Sequence, residues 1–135
     1  MIKNKHFWLA IIFLSPLGVL GGYAQARNSS RVPTNCGVSQ RILDSVNAVT
    51  KDDSLIIISR LGSTEKNRNI ARLRVESAFD YLAKAWGRSR ERTILGVGDR
   101  AVGEGRLDIY VRGQLVYTLW AARNRNILTF CKNQE

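Results

Sequence analysis

The residues of this 135-residue chain best suited to acid–base chemistry are three carboxylates. Asp99, Glu104 and Asp108 lie close together in sequence around a glycine-bearing loop. A pair of such groups can cleave a glycosidic bond, with one carboxyl acting as the acid. We favour the simpler interpretation, in which they are turn residues and one exposed strand position. The only histidine, His6, lies in a segment that we expect to be removed, which leaves the mature chain without an imidazole for nucleophilic catalysis. We therefore predict no enzymatic activity.

Arginine is the functional residue type that the chain offers in excess. The whole chain has 21 basic and 11 acidic residues; without Lys3 and Lys5 the mature part keeps 19 basic residues, 15 of them Arg, and a net charge of +8. The planar fork of Arg suits carboxylate or phosphate, although the charge alone also serves solubility. Arg-rich stretches occur at 88–92 and 123–125, but the few aromatic residues give no stacking platform. We do not expect a nucleic-acid partner.

Hydrophobic periodicity predicts the elements that must position these groups. The expected helices are Ser39–Val49 and Glu65–Trp86, and the expected strands are Leu55–Ser59, Thr93–Gly98, Arg106–Val111 and Leu115–Trp120. This order predicts an α+β fold, a two-layer sandwich with both helices on one face of a mixed β-sheet. The mature chain is expected to form one domain with a core at 38–120, an extended N-terminal arm and a C-terminal tail.

The second predicted helix carries the most specific pattern. Residues 67–82 read NRNIARLRVESAFDYL and follow the turn RLGS at 60–63. This segment resembles the helix signature of the OmpA-like peptidoglycan-binding domain family. That family shows an Asn, an Arg-Ala pair and a closing Tyr-Leu, to which Asn67, Arg74-Val75 and Tyr81-Leu82 correspond. The resemblance covers about residues 55–111.

The resemblance implies an OmpA-like fold and a ligand site. In the family, an Asp at the end of the first strand faces the ammonium of diaminopimelate, and the helix Arg faces its carboxylate. The position fifteen residues before Arg74 is Ser59, so the family carboxylate is missing here. The resemblance implies Arg74, Asn67, Ser59 and Arg60 as ligand-binding residues. For Asn67 we favour the alternative that its side chain caps the helix, and for Arg74 the alternative is a solvent-facing helix residue near Asp80 or Glu76. We expect Arg74 to lie in a solvent-open cleft beside Ser59 and Asn67.

Two functions remain open at this point. The first is a non-enzymatic cell-envelope domain that contacts peptidoglycan, or another anionic glycan or peptide polymer, through arginines. The second is a structural or protein-interaction module that keeps the OmpA-like fold and has lost peptidoglycan binding. Ser59 favours the second function, whereas Arg74 and the basic net charge favour the first.

The N-terminus has the pattern of a secretory signal peptide over residues 1–26. Two lysines precede an apolar run at 7–20, and Ala24-Gln25-Ala26 supplies a cleavage site with small residues. The alternative is an uncleaved membrane anchor, but the run is shorter than the roughly 20 residues that span a bilayer, and Pro16 interrupts it. We expect an exported protein, periplasmic or extracellular, with no stable membrane span after cleavage.

The chain has two cysteines, Cys36 and Cys131, near the two ends of the predicted mature domain. In an oxidising compartment such an isolated pair is expected to form a disulfide. Two thiols without further ligands do not make a metal site. The sequence GVG at 96–98 is too short for a dinucleotide fingerprint. We predict a disulfide and neither a metal nor a cofactor.

Overall fold

The computed structural model describes residues 32–128 and residue 131. The predicted signal peptide and the start of the N-terminal arm lie outside these residues. The described chain forms two α-helices and four β-strands, which confirms the predicted α+β class. In chain order they are α1 (Cys36–Val49), β1 (Leu55–Arg60), α2 (Arg68–Trp86), β2 (Thr93–Val97), β3 (Arg106–Val111) and β4 (Gln114–Trp120). A short 3-10 helix at Arg90–Arg92 precedes β2.

The four strands form one mixed sheet in the order β2-β1-β3-β4. β1 and β2 are parallel and are joined by α2, whereas β1–β3 and β3–β4 are antiparallel. β1 is the sequence's continuous apolar run, and a strand flanked on both sides inside a sheet is where such a run is stable. Ile57, at its middle, lies opposite Leu95 of β2 and Ile109 of β3.

The hydrophobic core lies between the helices and one face of the sheet. Leu43 of α1, Leu82 of α2 and Ile57 of β1 are fully buried in the same apolar cluster. Burial alternates along β1, so that Leu55, Ile57 and Ser59 are buried and the residues between them are half-buried. We call the side that contains Leu55, Ile57 and Ser59 the inner face, and the opposite side the outer face.

Both helices begin at residues other than those predicted, because an asparagine caps each of them. Asn35 Oδ1 accepts a hydrogen bond from Val38 N at 2.9 Å, so α1 begins at Cys36 and Ser39 is already inside the helix. Asn67 Oδ1 accepts one from Asn69 N at 3.0 Å, so α2 begins three residues after the predicted Glu65. These amides satisfy N–H groups that a first helical turn leaves free. The C-terminal end of α2 is as predicted, with Gly87 in the left-handed conformation at φ 65°.

A shared carboxylate ties α1 to α2. Asp44 Oδ1 accepts hydrogen bonds from Tyr81 Oη at 2.8 Å and from Trp86 Nε1 at 2.7 Å. Burial, together with the Asp44 carboxylate, raises the pKa of Tyr81 to about 12. Trp86 is 54% exposed, so it does not belong to the buried side of α2 on which the periodicity placed it. Its indole N–H bonds to the Asp44 side chain of α1 instead.

The two ends of the described chain meet. Cys36 and Cys131 form a disulfide with Cα atoms 5.5 Å apart, as predicted. Beside it, Thr34 N donates to Trp120 O at 2.8 Å, and Trp120 N donates to Thr34 Oγ1 at 2.9 Å. The chain therefore enters α1 along the end of β4.

Candidate functional site

The arginine that the sequence singled out is a buried structural residue. Arg74 lies on the core-facing side of α2, and its side chain and that of Glu65 are 0% and 1% exposed. Arg74 Nη1 donates to Glu65 Oε2 at 2.9 Å, and Nη2 donates to Oε1 at 2.5 Å. This two-pronged pair is the geometry in which Arg holds a carboxylate most strongly. The expected solvent-open position of Arg74 is therefore wrong, because the chain's own Glu65 occupies its fork.

The C-terminal segment closes over this pair. Arg74 Nε donates to Arg125 O at 2.8 Å, and Asn124 N donates to Glu65 Oε1 at 2.6 Å. On the other side, Gly62 N donates to Glu65 Oε2 at 2.8 Å. Gly105 also packs against the pair, where a Cβ atom would lie 2.5 Å from Arg74 Nη1 and so overlap it. The turn before α2, the loop before β3 and the segment after β4 thus converge on one ion pair.

The protonation state of Glu65 follows from these contacts. Burial alone would raise the pKa of this carboxyl, because it disfavours the charged form. The hydrogen bonds from Arg74, Gly62 and Asn124 outweigh burial and lower the pKa below its ordinary value. Glu65 is therefore ionised at neutral pH and remains the partner of the Arg74 guanidinium.

Ser59, which stands where the family has its Asp, is also enclosed. It is the last inner-face residue of β1, is 0% exposed, and lies opposite Val97 and Leu107 in the sheet. Its Oγ has no hydrogen-bond partner among the described residues. A hydroxyl buried in this way supplies no group that a solvent-borne ligand can reach.

The two other predicted site residues lie elsewhere. Asn67 is exposed, and its side chain caps α2. Arg60 is on the outer face, where its Nε donates to Asp108 Oδ2 at 2.8 Å. Hydrogen bonding to Asp108, followed by interaction with Tyr110, raises the pKa of Arg60. The structure does not bring Arg74, Asn67, Ser59 and Arg60 together into one open site.

An open cleft with basic side chains does exist beside the start of α2. It has a volume of about 290 Å³ and is lined by Leu61, Arg68, Val97, Gly98, Asp99 and Arg100. Arg68 is exposed. Arg100 reaches back through Nη1 to Gly62 O at 2.6 Å and also to Glu65 O. Two guanidinium groups at one cleft can hold a small anion such as a carboxylate.

The arginine-rich stretch at 88–92 also makes intramolecular contacts. Arg88 is 7% exposed, and it donates to Thr50 O at 2.8 Å and to Asp53 O at 2.6 Å. Burial, with the nearby charge of Arg92, lowers the pKa of Arg88. The Arg90 guanidinium lies over the ring of Phe79, 5.3 Å from its centroid. Both guanidinium groups therefore make contacts within the domain, Arg88 with backbone carbonyl groups and Arg90 with an aromatic ring.

Sequence reasoning missed the acidic partners of Arg74, Arg60 and Arg106. Glu65 was assigned to the first turn of a helix, and Asp108 to an exposed strand position, whereas both are 1% exposed and paired with arginine. The available signal was the excess of Arg itself, because buried guanidinium groups require anionic or carbonyl acceptors. For Asp108, the neighbouring Arg106 and the central strand position were a further hint.

Within the part of the chain that the structure describes, no three His, Cys, Asp or Glu side chains come together as a metal site. No helix in residues 32–128 combines the length and the apolar character needed to cross a membrane. Comparison of the whole chain with protein families, with curated proteins and with solved structures gave no match.

Proposed function

We propose that this protein is a non-enzymatic interaction module of the cell envelope, with an OmpA-like arrangement that no longer binds diaminopimelate through its helix arginine. One observation carries the proposal: the Glu65 carboxylate fills the Arg74 fork, and both side chains are at most 1% exposed. A carboxylate ligand would have to expel Glu65 and the segment at 122–125 before it could reach Arg74. The signal-peptide pattern of residues 1–26 supports a periplasmic or extracellular setting.

A specific observation favours a second function. The cleft at Arg68 and Arg100 offers arginines at the surface, beside the end of the turn at 60–63. Arg68 is exposed at the first position of α2, where the helix dipole also favours an anion. Through this cleft the domain would contact an anionic glycan or peptide, as in the first function considered above.

A sacculus pull-down separates the two functions. The wild-type domain, Arg68→Gln and Arg41→Gln are each incubated with purified peptidoglycan sacculi at low and at high salt. Arg41 is an exposed residue of α1 and provides a control that removes the same charge outside the cleft. For an interaction module we expect equally weak retention of all three proteins, lost at high salt because only screened surface charge holds them.

Retention that depends on Arg68 would decide for the second function. Retention at low salt that falls at least tenfold in Arg68→Gln, but not in Arg41→Gln, would overturn the interaction-module proposal. It would establish the cleft as an anion-binding site.

A further inference from the structure

An apolar row crosses the outer face of the sheet. The strand register places Ile94 of β2 opposite Ile56 of β1, Ile56 opposite Tyr110 of β3, and Tyr110 opposite Leu115 of β4. Directly paired residues project to the same side of a sheet. The two ends of this row are well exposed, Ile94 at 56% and Leu115 at 43%. The apolar row, defined as these four residues, lies on the side of the sheet away from the core cluster.

A basic row crosses the same face further along the strands. Arg60 of β1 pairs with Arg106 of β3, which pairs with Trp120 of β4. The Arg106 guanidinium lies over the Trp120 ring at 5.6 Å from its centroid. The side chains of Arg60 and Arg106 are 23% and 30% exposed. The basic row is defined as Arg60, Arg106 and Trp120, and its two arginines are still accessible.

Asp108 neutralises only half of this basic row. Its carboxylate accepts from Arg60 Nε at 2.8 Å, from Arg106 Nε at 3.2 Å and from Thr118 Oγ1 at 3.0 Å. One carboxylate thus faces two guanidinium groups, and a charge of +1 remains. Both arginines approach Asp108 through Nε, so the terminal nitrogens of Arg106 are available to a further acceptor.

The spacing of the two rows matches one element of secondary structure. Ile56 and Arg60 are four residues apart on one strand, which corresponds to about 13 Å. A helix with side chains is about 10–12 Å wide, so one helix laid across the strands reaches both rows. The outer strands of a four-stranded sheet lie about 14 Å apart, a distance that about ten helical residues span.

We propose that the outer face binds an amphipathic helix of another protein, with apolar residues over the apolar row and an acidic flank over the basic row. This inference rests on the proposed function and names the partner's chemistry. Charge complementarity selects this occupant, because a second copy of the chain brings the same unneutralised arginine charge. The chain's own residues 27–35 contain two arginines and no acidic residue, so they do not complement the basic row either.

The test uses a synthetic helical peptide of about 18 residues, long enough to hold a helix in water. It carries Leu along one face, Glu along one flank and Ala elsewhere, and a matched peptide has Gln in place of Glu. Binding to the mature domain is followed by fluorescence anisotropy and by backbone amide chemical shifts. We expect saturable binding of the Glu peptide, at least tenfold weaker binding of the Gln peptide, and shift changes concentrated in the apolar and basic rows.

Matched variants locate the contact. Ile94→Lys should weaken binding of the Glu peptide at least tenfold, whereas Val49→Lys should not, because Val49 is 76% exposed at the end of α1. Arg106→Gln should weaken binding in the same way, and Arg72→Gln on α2 provides its charge-matched control. Because Arg106 contacts buried Asp108, circular dichroism must show that this variant is folded, and Ile94→Lys tests the proposal without touching that contact.

Three outcomes would overturn the proposal. The first is equal binding of the peptide to wild type and Ile94→Lys. The second is stronger, Ile94-dependent binding to vesicles of phosphatidylcholine and phosphatidylserine, which would make the face a membrane surface. The third is an Ile94-dependent dimer in sedimentation, which would make it a self-association surface. Arg68-dependent retention on sacculi would contradict the proposed function while leaving the peptide result intact, so the two failures are distinguishable.

Discussion

At the scale of single residues, the Glu65–Arg74 pair encloses the helix arginine away from solvent. An arginine on a helix and an acid nine residues earlier are individually unremarkable in sequence. Their pairing also depends on Asn124 and Arg125, about fifty residues further along the chain. No local pattern predicts such a convergence, and for this reason the sequence analysis placed Arg74 in a solvent-open cleft rather than in the buried position that it has.

We predict that removing one member of the pair costs more stability than removing both. Glu65→Ala leaves a buried guanidinium without its counter-charge and should lower the free energy of unfolding by about 3–5 kcal/mol. The double variant Glu65→Leu/Arg74→Met, which restores apolar packing, should be destabilised less. Urea unfolding at pH 7 measures both variants, and a double variant that is less stable than Glu65→Ala would contradict this account.

The pH dependence of stability tests the same pair. Because the pKa of Glu65 is lowered in the folded state, its contribution is fully present above its unfolded pKa of about 4.3. That contribution is lost as the pH falls through the lower, folded value. The difference in stability between wild type and Glu65→Gln should therefore shrink below about pH 4.

At the scale of elements, sequence periodicity predicted both α-helices and all four strands of the described chain, but not the short 3-10 helix at Arg90–Arg92. Whether a segment forms a helix or a strand depends on which of its residues can be buried together. The apolar spacing of α2 and the β-branched run of β1 show this directly in the sequence. The predicted helix starts were wrong because Asn35 and Asn67 cap the two helices, whereas the prediction began them at Ser39 and Glu65. Asn35 competes with Ser39 at α1, and Asn67 makes Glu65 a loop residue. Choosing between such candidates requires knowing where the flanking chain goes.

The connection between α1 and α2 gives a prediction at this scale. Tyr81→Phe removes the hydrogen bond to Asp44 and should cost about 1–2 kcal/mol. Because the pKa of Tyr81 is raised to about 12, folding keeps its proton where the unfolded chain, with a pKa near 10, releases it. The stability from this group is present below about pH 10 and is lost as the pH rises towards 12.

Ultraviolet titration of the phenol groups measures this shift. Wild type should show one tyrosine that ionises near pH 12, and Tyr81→Phe should lack it. Tyr117→Phe is the matched control, since Tyr117 is 39% exposed on β4. The same late transition in Tyr81→Phe as in wild type would contradict the assignment.

At the scale of the whole molecule, the disulfide joins the start of α1 to the C-terminal segment. It links residues 95 apart, and closing a loop of that length removes about 4–5 kcal/mol of unfolded-chain entropy in the loop-entropy model. We predict that Cys36→Ala/Cys131→Ala unfolds at a clearly lower guanidinium concentration than oxidised wild type. Reduced wild type should unfold at the same guanidinium concentration as the double variant. Equal unfolding midpoints for the oxidised protein and the double variant would contradict a stabilising role of the disulfide.

The meeting of the two chain ends also has a mechanical consequence. If the protein is stretched by its termini, the load enters at Cys36 and leaves at Cys131 through a covalent bond. Once the two hydrogen bonds between Thr34 and Trp120 have broken, the sheet, both helices and the Glu65–Arg74 pair carry none of that tension, because they lie in the loop between Cys36 and Cys131. A single-molecule pulling experiment should therefore show only the extension of the chain outside residues 36–131 until the sulfur–sulfur bond is reduced, and then the release of about 90 further residues of chain.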